Sequence, residues 1–427
     1  MAAGVSAVEA AALAAVDEAE VARLLRELLV VPSVTGSAAE SDLQHVLAGH
    51  LERRGLDVDL WSMDLAALRA RPGFPGGEAP RTEAWGLVGG TPRRGDGPTL
   101  ILQGHVDVVP PGDPARWEGD PFRPRVAGDV VYARGACDMK AGLVAILGAL
   151  AAIRAAGVRL RGQVAAHFVV SEEDGGLGAF GTLERGHTGD ACVITEPTGG
   201  ALMTANAGAL TFRVAVPGRA AHGSTPYEGV SAVDAYLPVH RALARLEERR
   251  NTRADPLMAG YPVPYPLSVG TVRAGDWASS VPDLLVAEGR LGVRLGEDPA
   301  GARAELEACV AEACAADPWL RSRPAVVTWP GGQFASGRLP AGHPLAALVG
   351  GACADVTGGP GPPERGAPYG SDLRLYAGAG IPTLQFGPGD VRFAHGPREQ
   401  VRIGEIVTVT RALVLAALRV VGTERGA

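Results

Sequence analysis

The sequence predicts an α/β chain: a mostly parallel central sheet flanked by helices, with a second, α+β domain inserted into it. Three observations carry this. Short apolar runs alternate with helical patterns up to about Ala207, as the strands and crossover helices of a parallel sheet do. The order then changes to strand, helix, strands, helix. The first texture returns near His343. A length of 427 residues fits two domains, divided as 1–206 and 334–427 for the first and 207–333 for the insertion.

The elements follow in order. Val8, Leu13, Val16, Val21, Leu24, Leu25 and Leu28 recur at helical spacing, so residues 7–30 predict one amphipathic helix. A second helix runs from about Ala39 to Arg54, with Gly55 at its C-cap. The Pro/Gly-rich stretch from Arg69 to Arg81 reads as a surface loop. Leu100–Leu102 is a buried-strand run leading into Gly104 and His105. Ala141–Ile153 is then a helix, and Gln163–Val170 and Ala191–Ile194 are strands. In the insertion, Leu210–Val216, Leu267–Val272 and Leu284–Arg294 predict strands, while Ser231–Arg250 and Ala302–Ala316 predict helices. A helix from His343, a strand near Pro382–Phe386 and a last helix from Gly404 complete the first domain.

Composition narrows the function. A net charge of −7 without a basic run gives no electrostatic support for nucleic-acid binding. The longest apolar run, Ala141–Ile153, is too short to cross a bilayer. The first basic residue is Arg23, so the charged start of a signal peptide is absent. The five cysteines are odd in number and scattered, which fits reduced thiols and a cytoplasmic location.

Several segments carry candidate chemistry. His105 and Asp107 lie two apart, on one side of an extended chain. A carboxylate there can accept the second ring N–H of a metal-bound histidine. Asp138 precedes a helix, where it serves either as an N-cap or as a carboxylate bridging two metals; Cys137 beside it reads as a buried bystander. Ser171-Glu172-Glu173-Asp174 follows an apolar strand, at the end where open α/β sheets place ligands. It is either a solvated acidic loop or a pair in which one Glu binds a cation and its neighbour holds water. Glu196 repeats the placement after the next strand, and His395 sits in a Gly/Pro-bounded loop. Singly each reads as a turn residue. Together, two histidines and three acids are the right kinds for paired divalent ions.

The segments GHVDVVP, RGACDMKAG, SEED, TEPT, AHGSTP and AHGPRE, in this order and spacing, resemble one family. It is the dizinc peptidase and deacylase family of acetylornithine deacetylase, succinyl-diaminopimelate desuccinylase, aminoacylase and the glutamate carboxypeptidases. The likeness runs from about Val21 to Gly422. It implies a zinc-peptidase catalytic domain with an inserted lid that pairs two subunits. Asp138 would bridge two divalent ions, zinc or alternatively cobalt. His105 and Glu196 would complete one ion, and Glu173 and His395 the other. Glu172 would be the general base, Asp107 would stand behind His105, and the peptide bond after Asp138 would be cis. His222 matches a lid histidine that reaches the partner's site and polarises the scissile carbonyl; without the resemblance it is a turn histidine.

One departure touches the substrate. Relatives carry Asn-x-x-Pro and then an Asp-x-Arg strand in the lid, whereas this chain has Ser279-Ser280-Val281-Pro282 and Glu288-Gly289-Arg290. Arg290 and Arg294 share one side of a strand by parity, and either can serve as the carboxylate grip. Tyr369-Gly370-Ser371 resembles a loop contacting the substrate near its carboxylate. The resemblance implies hydrolysis of a small N-acylated amino acid or related compound by a homodimer. The rivals are a dipeptidase or carboxypeptidase using the same site, and a non-catalytic metal- and ligand-binding protein.

Overall fold

The computed structural model describes residues 4–93 and 95–424. Its principal strands are β1 (Asp57–Ser62), β2 (Trp85–Gly90), β3 (Thr99–His105), β4 (Gln163–Val169), β5 (Ala191–Pro197), β6 (Leu202–Asn206), β7 (Gly208–Pro217), β8 (Leu267–Ala274), β9 (Leu284–Val293) and β10 (Thr383–Gly387). The principal helices are α1 (Ala7–Ala14), α2 (Glu18–Leu29), α3 (Ala38–Arg53), α4 (Ala141–Ala155), α5 (Leu177–Glu184), α6 (Ala232–Arg250), α7 (Pro299–Ala316), α8 (Pro344–Thr357) and α9 (Ile403–Val421).

The chain divides into two compact units. The first holds residues 1–205, 338–365 and 375–427, and the second 206–337 and 366–374. The sequence reading left 366–374 in the first unit. It belongs to the second because its backbone and side chains are engaged there. Ala207 donates its N–H to the Ala367 carbonyl at 2.8 Å, and the Arg374 guanidinium lies 3.9 Å from the centre of the Phe334 ring.

In the first unit the sheet runs β1-β2-β4-β3-β5-β10-β6. The four central strands β4, β3, β5 and β10 are mutually parallel, while β1, β2 and β6 pair antiparallel at the flanks. The sheet is thus parallel at its centre and mixed overall. α4 is apolar on all sides and buried along nearly its whole length, as expected of a helix inside a core. The stretch Ala136–Ala155 is in fact long and apolar enough to cross a bilayer, unlike the shorter run read from sequence. However, 89% of its most apolar window is buried inside the molecule.

Two further expectations change. The N-terminal helix is two helices, because Asp17 accepts the Glu20 N–H and so caps α2 as a separate element. The stretch from Arg69 to Arg81 is not simply a surface loop, since the Arg81 side chain is 3% exposed and paired with Glu40 and Asp174. In the second unit β8, β9 and β7 form an antiparallel sheet extended by Val326–Thr328, and α6 and α7 share a core with it.

Candidate metal centre

The C-terminal ends of the parallel strands gather the candidate residues. His105 ends β3, with Asp107 two residues on; Glu172 and Glu173 lie in the turn after β4; Glu196 lies near the end of β5. Asp138 enters from the turn before α4, and His395 from the loop after β10. The Asp138–Met139 peptide is cis.

The two oxygens of Asp138 face different histidines. Oδ1 lies 3.1 Å from His105 Nε2, and Oδ2 lies 3.4 Å from His395 Nε2. His105 Nε2 is also 3.7 Å from Glu196, and His395 Nε2 is 3.1 Å from Glu173. Ligand atoms of His105, Asp138 and Glu173 lie within 4.8 Å of one another, as do those of His105, Glu172 and Glu196. All are buried or nearly so except His395, whose side chain is 55% exposed. The backbone there is left-handed at His395 (φ 59°) and at Ser171 (φ 63°), the residue before Glu172.

Charge dominates this cluster. Burial acts against protonation of His395, but Asp138 and Glu173 outweigh it and raise the ring to about 11. Burial likewise opposes a charged His105, and Glu196, Asp107 and Asp138 raise it well above the ordinary value. Burial pushes Asp138 up, but the two histidines outweigh it and hold the carboxyl well below the usual range. Glu173 is raised by burial and by Asp138, against the pull of His395. The residues fit paired cations on these grounds. The crowded carboxylates need positive charge beside them, the two imidazoles can offer neutral ring nitrogens to a cation, and the buried Glu173 Oε1 has no hydrogen-bond partner among the described residues.

Asp107 meets His105 Nδ1 with both its main-chain carbonyl and its carboxylate. The nearest partner of His105 Nδ1 is the Asp107 main-chain carbonyl at 2.9 Å, with the carboxylate at 3.6 Å. The carboxylate also accepts the N–H groups of Glu172 (3.1 Å) and Glu173 (3.2 Å) and the Thr35 hydroxyl (3.0 Å). It therefore fixes the acidic turn while its backbone orients the histidine. Sequence reading missed Glu399, which is fully buried beside Arg134 and accepts the N–H groups of Cys137 (3.1 Å) and Asp138 (3.2 Å). Its only sequence signal was its place four residues after His395.

The remaining candidates lie in the second unit. His222 is exposed, and its Nδ1 accepts the Ser224 N–H at 3.1 Å. A main-chain N–H can only donate, so a neutral ring carries its proton on Nε2. Arg290 lies within β9 and donates from Nη2 to the Pro368 carbonyl at 3.0 Å. Arg294 lies past the end of β9, donates to the Arg250 carbonyl at 3.1 Å and pairs with Glu297 at 3.6 Å. Strand parity therefore does not carry over from one arginine to the other. Tyr369 and Gly370 are half-buried, and buried Ser371 accepts the Leu373 N–H at 3.3 Å, capping its own turn.

The chain is similar to known proteins along most of its length. It is 34% identical over 272 residues to a succinyl-diaminopimelate desuccinylase of Gluconacetobacter diazotrophicus, covering 60% of this chain and 63% of the relative. The chain thus spans under two thirds of that relative's length. It is 26% identical over 420 residues to an N-formyl-4-amino-5-aminomethyl-2-methylpyrimidine deformylase of Halalkalibacterium halodurans, covering 92% of this chain and 93% of the relative. A dipeptidase structure from Saccharomyces cerevisiae shares the fold, with TM-score 0.77 at 14% identity, over 96% of this chain and 98% of that one. Residues 101–419 match the sequence profile of the peptidase family M20/M25/M40, and the chain belongs to that family.

Proposed function

We propose that the chain is a two-metal hydrolase that removes the acyl group from a small N-acylated amino acid or related amide. The single observation that carries this is Asp138, whose two oxygens face two different histidines, each with its own further carboxylate. His105, Asp138 and Glu196 would hold one divalent ion, and Asp138, Glu173 and His395 the other, zinc being the ion that best suits imidazole and carboxylate donors together. Such ions, when bound, polarise a carbonyl and make water acidic near neutral pH.

The chain's own residues do the rest. Glu172, held by Asp107 through its N–H, takes a proton from the attacking water and passes it to the leaving amine nitrogen. Asp107 keeps Glu172 and Glu173 side by side. His222 presents its Nε2–H as a donor to the oxygen of the scissile carbonyl. In the family's manner this would be the partner subunit's His222, in a cytoplasmic homodimer paired through the second unit. Of the two arginines Arg290 is proposed to meet a substrate carboxylate, since it has no carboxylate partner among the described residues, whereas Arg294 is paired with Glu297.

A second reading has its own support. The relative matched over nearly its whole length is named for an N-formylated aminomethylpyrimidine, a compound without a carboxylate. The substrate would then be an acylated amine. A panel of N-succinyl and N-acetyl amino acids, N-formyl amines and dipeptides, run on zinc-loaded protein with and without chelator, separates these readings. Hydrolysis of none of them, or hydrolysis that survives full metal removal, would overturn the proposal.

A further inference from the structure

The turn that presents Glu172 and Glu173 does not stand by itself. Three carboxylates from three places in the chain converge on it. Glu40 of α3 accepts the Ser171 N–H at 2.8 Å, Asp107 accepts those of Glu172 and Glu173, and Asp174 accepts the Ser171 hydroxyl. Glu40 and Asp174 are buried, at 2% and 6% exposure. Carboxyl groups buried that close together are costly to ionise, and a nearby cation offsets the cost.

That cation comes from the Pro/Gly-rich segment. Arg81 extends one guanidinium nitrogen to Glu40 at 3.1 Å and the other toward Asp174 at 3.7 Å. The segment leading to it is laid along the turn by its backbone. Glu78 and Ala79 donate their N–H groups to Asp174 Oδ2 at 3.1 and 2.8 Å. Around Gly175 and Gly36 the chains approach so closely that a Cβ on either glycine would collide with the Gly76 or Pro80 carbonyl. Residues 76–81 thus form a strap over the turn, fastened at one end by Asp174 and at the other by Arg81.

We propose that Arg81 is a positioning residue for the reaction: by joining Glu40 and Asp174 beneath the strap, it holds the left-handed Ser171 turn that aims Glu172 and Glu173. Arg81 contacts none of the proposed metal ligands among the described residues; it acts through these two carboxylates and, at longer range, through the charge it presents to Asp107. Its guanidinium spreads one charge over both neighbours, a hydrogen bond to Glu40 and an ion-pair contact with Asp174, where lysine would offer a single point charge. The inference rests on the hydrolase reading for its kinetic consequence, but not for its structural one.

The test uses the full chain and the variants Arg81→Ala and Arg81→Lys. Amide exchange of Ser171, Glu172 and Glu173 should speed up at least tenfold in Arg81→Ala, while exchange in α4 and α9 stays as in the parent. On the best substrate, kcat should fall about 10- to 100-fold, the size expected when catalytic groups are displaced by about an ångström. KM should stay within about threefold, and Arg81→Lys should lie between. If Arg81→Ala does not fold, the double variant Arg81→Met/Glu40→Gln, which leaves Asp174 as the one carboxylate of the pair without its cation but still held by the Ser171, Glu78 and Ala79 donors, takes its place with the same expectations. A folded variant with parent-like exchange in the turn and kcat within twofold overturns the proposal. A parent chain that hydrolyses no amide would sink the hydrolase reading, and the exchange measurement would still decide the strap.

Discussion

Glu172 and Glu173 are neighbours with different surroundings, and the proposal gives them different work. Glu173 faces His395 and groups with His105 and Asp138, whereas Glu172 groups with His105 and Glu196. Changing Glu172 to Gln removes a proton carrier and keeps the shape. Metal content and melting temperature should stay near the parent's, while kcat drops by about 10²- to 10⁴-fold; a near-normal kcat would mean that another group moves the proton. The histidines give a second prediction. Without metal, His395 is raised to about 11 and His105 well above its ordinary value, so both are charged at pH 7. Their protonated pairs add stability that is full below the unfolded pKa of about 6.5 and fades as pH rises through the folded value. A cation can bind only the neutral rings. Loading the metal-free protein at pH 7 in weak buffer should therefore release a proton from each histidine, seen as a drop in pH. Loading without release would show that the rings are not ligands.

At the scale of elements, the ends of parallel strands decide where chemistry sits, and much of this was legible in the sequence. The apolar runs before His105, Glu172 and Glu196 mark three of the four central strands, and period and composition suffice to find such runs. The flanking strands β1, β2 and β6 escaped: in β1 the alternation lasts only from Asp57 to Leu60 before Trp61 ends it, and β2, Trp85–Gly90, is half glycine. Arg81, Glu40 and Glu399 escaped for another reason. Their partners lie between 41 and 265 positions away along the chain, and no local pattern reports a buried ion pair. Close packing is equally silent. Thr195, next to Glu196, is pressed between α4 and β10, where Gly142 and Gly387 leave no room for a Cβ against its carbonyl. Gly387→Ala should destabilise the protein by about 1–3 kcal/mol through overpacking, measured by denaturant unfolding, and should weaken metal binding by shifting Glu196. Unchanged stability and metal affinity would show that this contact relaxes freely.

At the scale of the molecule, His222 stands apart from the metal centre in sequence and in folding unit. If it serves the site of a second copy, subunits carrying His222→Ala and Glu172→Gln, each impaired alone, should regain activity when mixed. One site of the mixed dimer then holds both intact groups. Absence of regain, with subunit exchange demonstrated, would place His222 in its own subunit's site or outside catalysis. The path of the chain carries a last consequence. The second unit is not one uninterrupted insert, because 366–374 returns to it after the chain has gone back to the first unit. In that short return, the Ala367 carbonyl takes its donor from Ala207, the Pro368 carbonyl from Arg290, and Arg374 stacks on Phe334. The unit is therefore not a removable cassette. Cutting out 206–337 and sealing the gap would strand a nine-residue remnant stripped of its neighbours. A lineage or an engineer wishing to shed or swap this module must edit the gene at two places together.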